Sequence, residues 1–327
     1  MKNERIDNHE SYSNKGTPDG PSSIELEHMK VLNSVLKMTK AEERVRKFKI
    51  FMIMMPITLV ACIYFYQKFG VDPFHGEPYV SLVEVNGEIS STNPGASSRA
   101  VIAGLQKAFM DANSEGVFIS IDSPGGSPAE SEKIHDEILT LKEDYPDKKV
   151  IAFGNGSMTS GAYWIATAAD EIHAMPMTMV GSIGVKMESY DFSEIAEKYQ
   201  ISKRVITAGE HKVRLDPFLP AQDADVEKFQ SVLAHLHTMF KDTVLASRKE
   251  KIDSDKYDVV FSGDFWLGEE ALELGLIDTV STPNRLLKSE FGTVHMKDYS
   301  IAPNILDTLN KQRVLGGMDS MTNIRIY

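Results

Sequence analysis

Cysteine is almost absent. Cys62 is the only one in 327 residues, so no intrachain disulfide can form and no cysteine metal cluster can be built. Positive charge is also short: 35 lysines and arginines face 47 aspartates and glutamates, a formal net charge of -12. That balance excludes a protein that tracks a nucleic-acid backbone, because such binding depends on basic side chains neutralising phosphates. No internal repeat is visible. The dinucleotide fingerprint fails too, since Gly154-Asn155-Gly156 would need its third glycine at Thr159. There is no G-x-S-x-G elbow, and no cofactor or metal ion is expected. What remains is 42% hydrophobic and 25% charged, enough for one sizeable globular domain with something attached.

One long apolar run is present. Ile50 to Tyr66, IFMIMMPITLVACIYFY, is uncharged over 17 residues, close to the short end of the roughly 17 to 25 that cross a bilayer as a helix. It starts too far from Met1 for an ordinary signal peptide and lacks an A-x-A-like site after it, so it reads as a retained anchor over 49–68. Arg44, Arg46, Lys47 and Lys49 precede it and only Lys68 follows closely, which places the N-terminus in the cytoplasm and the main domain outside. Residues 1 to 21 are polar and predict no fold. Ser22 with Glu25 forms a capping-box pattern, and Ile24, Val31, Val35 and Met38 share a helical face. This amphipathic segment, within a tail of residues 1–48, suits a membrane surface, a partner helix or plain solvent equally.

From Tyr79 onward short apolar runs alternate with helical patterns: VSLVEV, Arg99 to Met110, VFISI, Ala129 to Leu141, VIAF, Ala162 to Ala169. This alternation predicts an α/β fold with a mainly parallel sheet over 69–300, followed by a tail of 301–327. Further on, a strand near Arg204 to Thr207, a helix from about Asp223 to Lys249 and a helix at Gly268 to Leu274 are expected. Ligands of open α/β sheets bind beyond the carboxyl ends of the strands. Two loops there carry chemistry.

The first, IDSPGGSPAESEKI, places Gly125 and Gly126 at a helix start, where N–H groups and the helix dipole favour developing negative charge. An ordinary βα turn would use the same residues. The second, GNGSMTSGAYWIATAADEIHAMP, sets Ser160 before an alanine-rich helix, where it is either an N-cap or a nucleophile. A serine nucleophile needs a base. His173, in a strand-like EIHAM, reads as a core histidine; His235 and His237, two apart on a helix, face different ways and read as surface or packing residues. His211 stands immediately before Lys212 in ITAGEHKVRLDP.

Five ordered segments, DSPGG at 122–126, TSGAYWIATAADEI at 159–172, VGSIGV at 180–185, TAGEHK at 207–212 and SGDFWLGEEALELGLID at 262–278, resemble the signal peptide peptidase A (SppA) and SohB family of membrane serine peptidases. The resemblance implies a ClpP/crotonase-like fold and a serine-lysine dyad. It makes Ser160 the nucleophile, Lys212 the general base and Ser182 the residue that orients the lysine. Gly126 and Gly161 would supply the oxyanion-hole N–H groups. A lysine accepts the serine proton only when neutral, so such a base must work well below the usual value of about 10.4. Lys186 and Lys203 compete for the role but do not occupy the family position.

The resemblance also implies a peptide or protein substrate, a lipid bilayer as partner, and a homo-oligomer with sites shared between subunits, since long family members carry two copies of the domain. Hydrophobic peptides such as remnant signal peptides, or misfolded envelope proteins, are the implied substrates at the inner membrane. Met158, Thr159, Ala162 and Trp164 depart from the family pattern around the nucleophile and bear on substrate preference. A crotonase-like acyl-CoA enzyme and an inactive membrane scaffold are the alternatives.

Overall fold

The computed structural model describes residues 23–69 and 77–301, and the chain divides into two units at residues 75 and 76. The first holds one helix, α1 (Ser23–Phe69), of 47 residues, about 70 Å at the usual helical rise. The amphipathic segment and the anchor are therefore one continuous helix rather than two. Strong helix formers (Lys, Glu, Arg, Leu, Met) fill the junction, so nothing in the local sequence stops the helix there. It runs through Pro56, and Thr58 Oγ1 donates to the carbonyls of Met54 and Met55 beside the proline. Within Leu26–Tyr64 lies a stretch long and apolar enough to cross a membrane. The polar segment 1–21, Ser22 and residues 302–327 lie outside the described residues.

The second unit alternates strands and helices as expected: β1 (Tyr79–Asn86), α2 (Ser98–Met110), β2 (Ser114–Ser123), α3 (Pro128–Asp144), β3 (Lys149–Thr159), α4 (Gly161–Ala166), β4 (Glu171–Ala174), β5 (Met179–Gly181), α5 (Ser193–Lys198), α6 (Asp223–Arg248), α7 (Tyr257–Val260), β6 (Phe265–Leu267), α8 (Gly268–Glu273), β7 (Thr279–Val280), α9 (Pro283–Phe291) and β8 (Met296–Asp298). The sheet runs β6-β5-β3-β2-β1-β8, with β4 and β7 branching from β3. Every described pairing is parallel except β5 with β6. Apolar residues cover both faces of the central strands: Val117, Ile119 and Ile121 enter the main core, while Phe118, Ile151 and Phe153 pack beneath α9. This two-faced burial is why VFISI and VIAF read as nearly unbroken apolar runs.

One expected strand is missing. Residues 201–207 carry no regular structure and are exposed; Ile206 is 90% exposed. The β-branched run Val205-Ile206-Thr207 suits a strand, but strand formation needs a partner, and none of the described strands pairs with it.

Buried ties hold α6 to the sheet. Arg248, 2% exposed, grips both carboxylate oxygens of Asp278 at 3.0 and 2.9 Å and donates to the Gly275 carbonyl. The same carboxylate accepts the Ile172 N–H at 2.8 Å, and Tyr163 of α4 donates to the Leu276 carbonyl at 2.7 Å. Burial alone would raise the Asp278 pKa, but hydrogen bonds from the Ile172 N–H, Lys251 and Arg248 outweigh it and lower it. The helix that follows Ser160 and the C-terminal end of α6 thus share one anchor.

Candidate active site

Ser160 occupies the N-cap position of α4, yet its side chain makes no capping bond. Its backbone, at φ 54 and ψ -127, lies outside the extended region that capping residues use. A non-glycine residue at positive φ is uncommon and is tolerated where the surroundings over-determine it. Here they do: the Ser160 N–H donates to Gly181 O at 2.7 Å, and Ser160 O accepts the first helical bond from Trp164 at 3.0 Å. The strand β3 therefore delivers Ser160 at a sharp strand-to-helix turn with Oγ uncommitted.

Beside it lies the loop between β2 and α3. Ile89 N–H donates to Gly125 O, and Ser127 N–H donates to Ile89 O, both at 2.8 Å. These bonds fasten the loop to the segment after β1. A Cβ on Gly125 would stand 2.7 Å from both Gly161 N and Ser160 Cβ, and one on Gly126 would stand 2.2 Å from Ile89 O. Both positions also have positive φ, +91 and +153, so only glycine fits without strain. An ideal Cβ at Gly161 would lie 3.5 Å from Gly126 N, which measures how closely the two loops approach. Among the described residues neither the Gly126 N–H nor the Gly161 N–H has a protein acceptor, and both border the cavity that holds Ser160. Two free backbone donors flanking a serine hydroxyl can stabilise a developing oxyanion.

The cavity measures about 930 Å³, within the ordinary range for ligand sites. Ser182, immediately after β5, also borders it and is likewise left-handed at φ 51. Its N–H donates to Asp264 O at 2.7 Å, and its carbonyl accepts from Gly184 N at 2.9 Å. Helix α6 supplies an apolar wall through Leu236 and Phe240. Phe240 packs on Trp164 with ring centroids 5.0 Å apart, and His135 meets Trp164 edge-on at 6.5 Å. Burial pushes the His135 pKa down to about 4, with Asp136 raising it and Lys142 adding to the depression. Trp164 Nε1 is buried with no partner.

Lys186 also lines the cavity, but its amine pairs with Glu188 at 2.8 Å and is raised in pKa by that bond. A cation so held is a poor base. Lys203 pairs with Asp216. Lys212 stands on the exposed segment after α5, in the turn closed by its N–H to Gly209 O at 3.3 Å, and is not among the residues that border the cavity. Its amine makes no ion pair or hydrogen bond with any described residue. Within one chain, then, Ser160, Ser182, Gly126 and Gly161 come together, and Lys212 stands apart from them.

Residues 142–291 match the family model described as Peptidase family S49. Similar proteins include slr0021 of Synechocystis sp., 31% identical over 205 residues that make up 62% of this chain and 70% of that protein.

The chain belongs to peptidase family S49.

It is also similar to the chloroplastic serine protease SPPA of Arabidopsis thaliana, 30% identical over 208 residues, or 63% of this chain and 30% of that protein. A Brucella abortus protein named Na(+)/H(+) antiporter NhaA is 39% identical over 220 residues, or 66% of this chain and 30% of that protein. The S49 chain thus spans under a third of these last two relatives. Two features of the S49 site escaped the sequence reading. His237 lines the cavity and donates Nε2–H to Ile183 O at 3.1 Å. Glu88 and Ile89 also border the cavity. The two-residue spacing of His235 and His237 shows that they face differently, not which one faces the site.

Proposed function

We propose that this protein is a membrane-anchored serine endopeptidase that cleaves hydrophobic peptides, such as remnant signal peptides, or misfolded envelope proteins. One observation carries the reading: Ser160, left-handed and uncapped, shares a cavity with two unpaired glycine N–H groups. Family membership supports it. In the reaction Ser160 Oγ attacks the scissile carbonyl carbon while neutral Lys212 takes the hydroxyl proton. The oxyanion rests on the Gly126 and Gly161 N–H groups. Collapse breaks the C–N bond, and the departing amine takes the proton from Lys212. Water then attacks the acyl-enzyme by the same route, regenerating Ser160. Ser182 orients the lysine.

Because Lys212 is exposed and outside its own chain's cavity, the reading places it in the site of a neighbouring copy. A head-to-tail homo-oligomer supplies that arrangement. Exposed apolar side chains on the same stretch, including Tyr190, Ile201 and Ile206, suit a surface that is covered in an assembly. The basic residues before the apolar run support a reading in which the N-terminus is cytoplasmic and the S49 domain lies outside the inner membrane. Mass spectrometry of an apolar peptide library incubated with the full-length protein tests the reading. Internal cleavage that disappears in Ser160→Ala and in Lys212→Ala is expected; cleavage retained by Ser160→Ala would refute it.

A further inference from the structure

The turn that carries Ser182 is strained and is held by three hydrogen bonds and one buried side chain. Ser182 has φ 51, a conformation that costs a non-glycine residue free energy unless its neighbours impose it. On one side the Ser160 N–H takes the Gly181 carbonyl at 2.7 Å; on another, Asp264 O takes the Ser182 N–H at 2.7 Å. The Ile183 side chain is fully buried in the core. The remaining tie is the one made by a side chain: His237 of α6 donates Nε2–H to Ile183 O at 3.1 Å. A carbonyl can only accept, so this bond fixes the ring with its proton on Nε2.

We propose that His237 is a positioning residue for the Ser182 turn. It acts through the Ile183 peptide, keeping Ser182 in its left-handed conformation on the cavity wall beside Ser160. Helix α6 is suited to this because Arg248 locks its far end to Asp278, so the ring is presented from a fixed support. Its near neighbours Leu236 and Phe240 border the same cavity. The effect on peptide cleavage rests on the serine-peptidase reading above; the effect on the turn itself does not.

The test compares His237→Ala, His237→Gln and, as a control on the same helix, His235→Ala, each in the full-length chain in detergent. Hydrogen exchange is read at the Ser182 and Gly184 amides, and kcat and KM are read on an apolar peptide. Loss of one hydrogen bond corresponds to about a tenfold change. His237→Ala should speed exchange at both amides by roughly that factor and lower kcat about tenfold, with KM within about twofold. His237→Gln, whose amide N–H can reach the same carbonyl, should restore most of both. His235→Ala should change neither. Wild-type exchange at Ser182 and Gly184 in His237→Ala would overturn the proposal, as would a glutamine variant no better than alanine. If the wild-type protein cleaves no peptide, the exchange arm still decides the role of His237, and only the peptidase reading fails.

Discussion

The Ser160 N–H donates to the Gly181 carbonyl at 2.7 Å, and this bond joins two left-handed serines, Ser160 and Ser182, through a single peptide. The strained turns of Ser160 and Ser182 are therefore one unit. Strain at Ser160 leads to a prediction about stability. Glycine adopts φ 54 without a Cβ penalty, so Ser160→Gly should be more stable than Ser160→Ala by up to about 1 kcal/mol, with both inactive. Denaturant melts of the two variants measure this. Equal midpoints would mean that the turn is not strained.

Gly126→Ala should lower kcat by about a hundredfold or more, in the range seen when one oxyanion donor is lost. The added Cβ, 2.2 Å from Ile89 O, must displace the loop and carry the N–H away from the carbonyl oxygen. KM should change far less. Steady-state kinetics on one peptide tests the split.

Trp164 carries a buried N–H with no partner, a liability of about 1 to 3 kcal/mol. Removing the donor while keeping an aromatic ring should therefore be nearly neutral: Trp164→Phe is expected within about 1 kcal/mol of wild type, whereas Trp164→Ala should cost about 3 to 5 kcal/mol by emptying the contact with Phe240. Equilibrium unfolding distinguishes them.

His135 supplies a pH dependence. Burial holds its folded pKa at about 4 against the ordinary value of 6.5, so between those values the unfolded chain binds more protons. The stabilisation is fully present above about pH 6.5 and declines as pH falls toward 4, by at most about 3 kcal/mol. His135→Phe keeps a ring against Trp164 but cannot titrate. Thermal melts from pH 7 to pH 4 should show a shallower fall for the variant than for wild type.

Much of this arrangement was legible in the chain because it is local. Strand-helix alternation, the Gly125-Gly126 turn and the small residues around Ser160 each report a backbone requirement within a few positions. The cap-or-nucleophile question at Ser160 needed its dihedral angles, since serine in that sequence suits either role. From sequence His237 reads as a surface or packing residue, because its partner, Ile183, lies 54 positions away and meets it only when α6 packs over the site. The strand expected near Arg204 to Thr207 failed for the converse reason: its pattern was right, but no neighbour pairs with it. The continuous α1 hid behind a change of composition at Arg44 to Ile50 that alters the solvent a helix prefers, not its propensity to remain helical.

We propose a dyad of Ser160 and Lys212 assembled between copies of the chain. Its most direct test is co-expression of differently tagged Ser160→Ala and Lys212→Ala proteins, purified through both tags and assayed for peptide cleavage. Each variant alone should be inactive, and mixed assemblies should recover activity, because roughly one head-to-tail interface in four joins an intact serine to an intact lysine. Mixed assemblies that form but cleave nothing would contradict a site shared between copies.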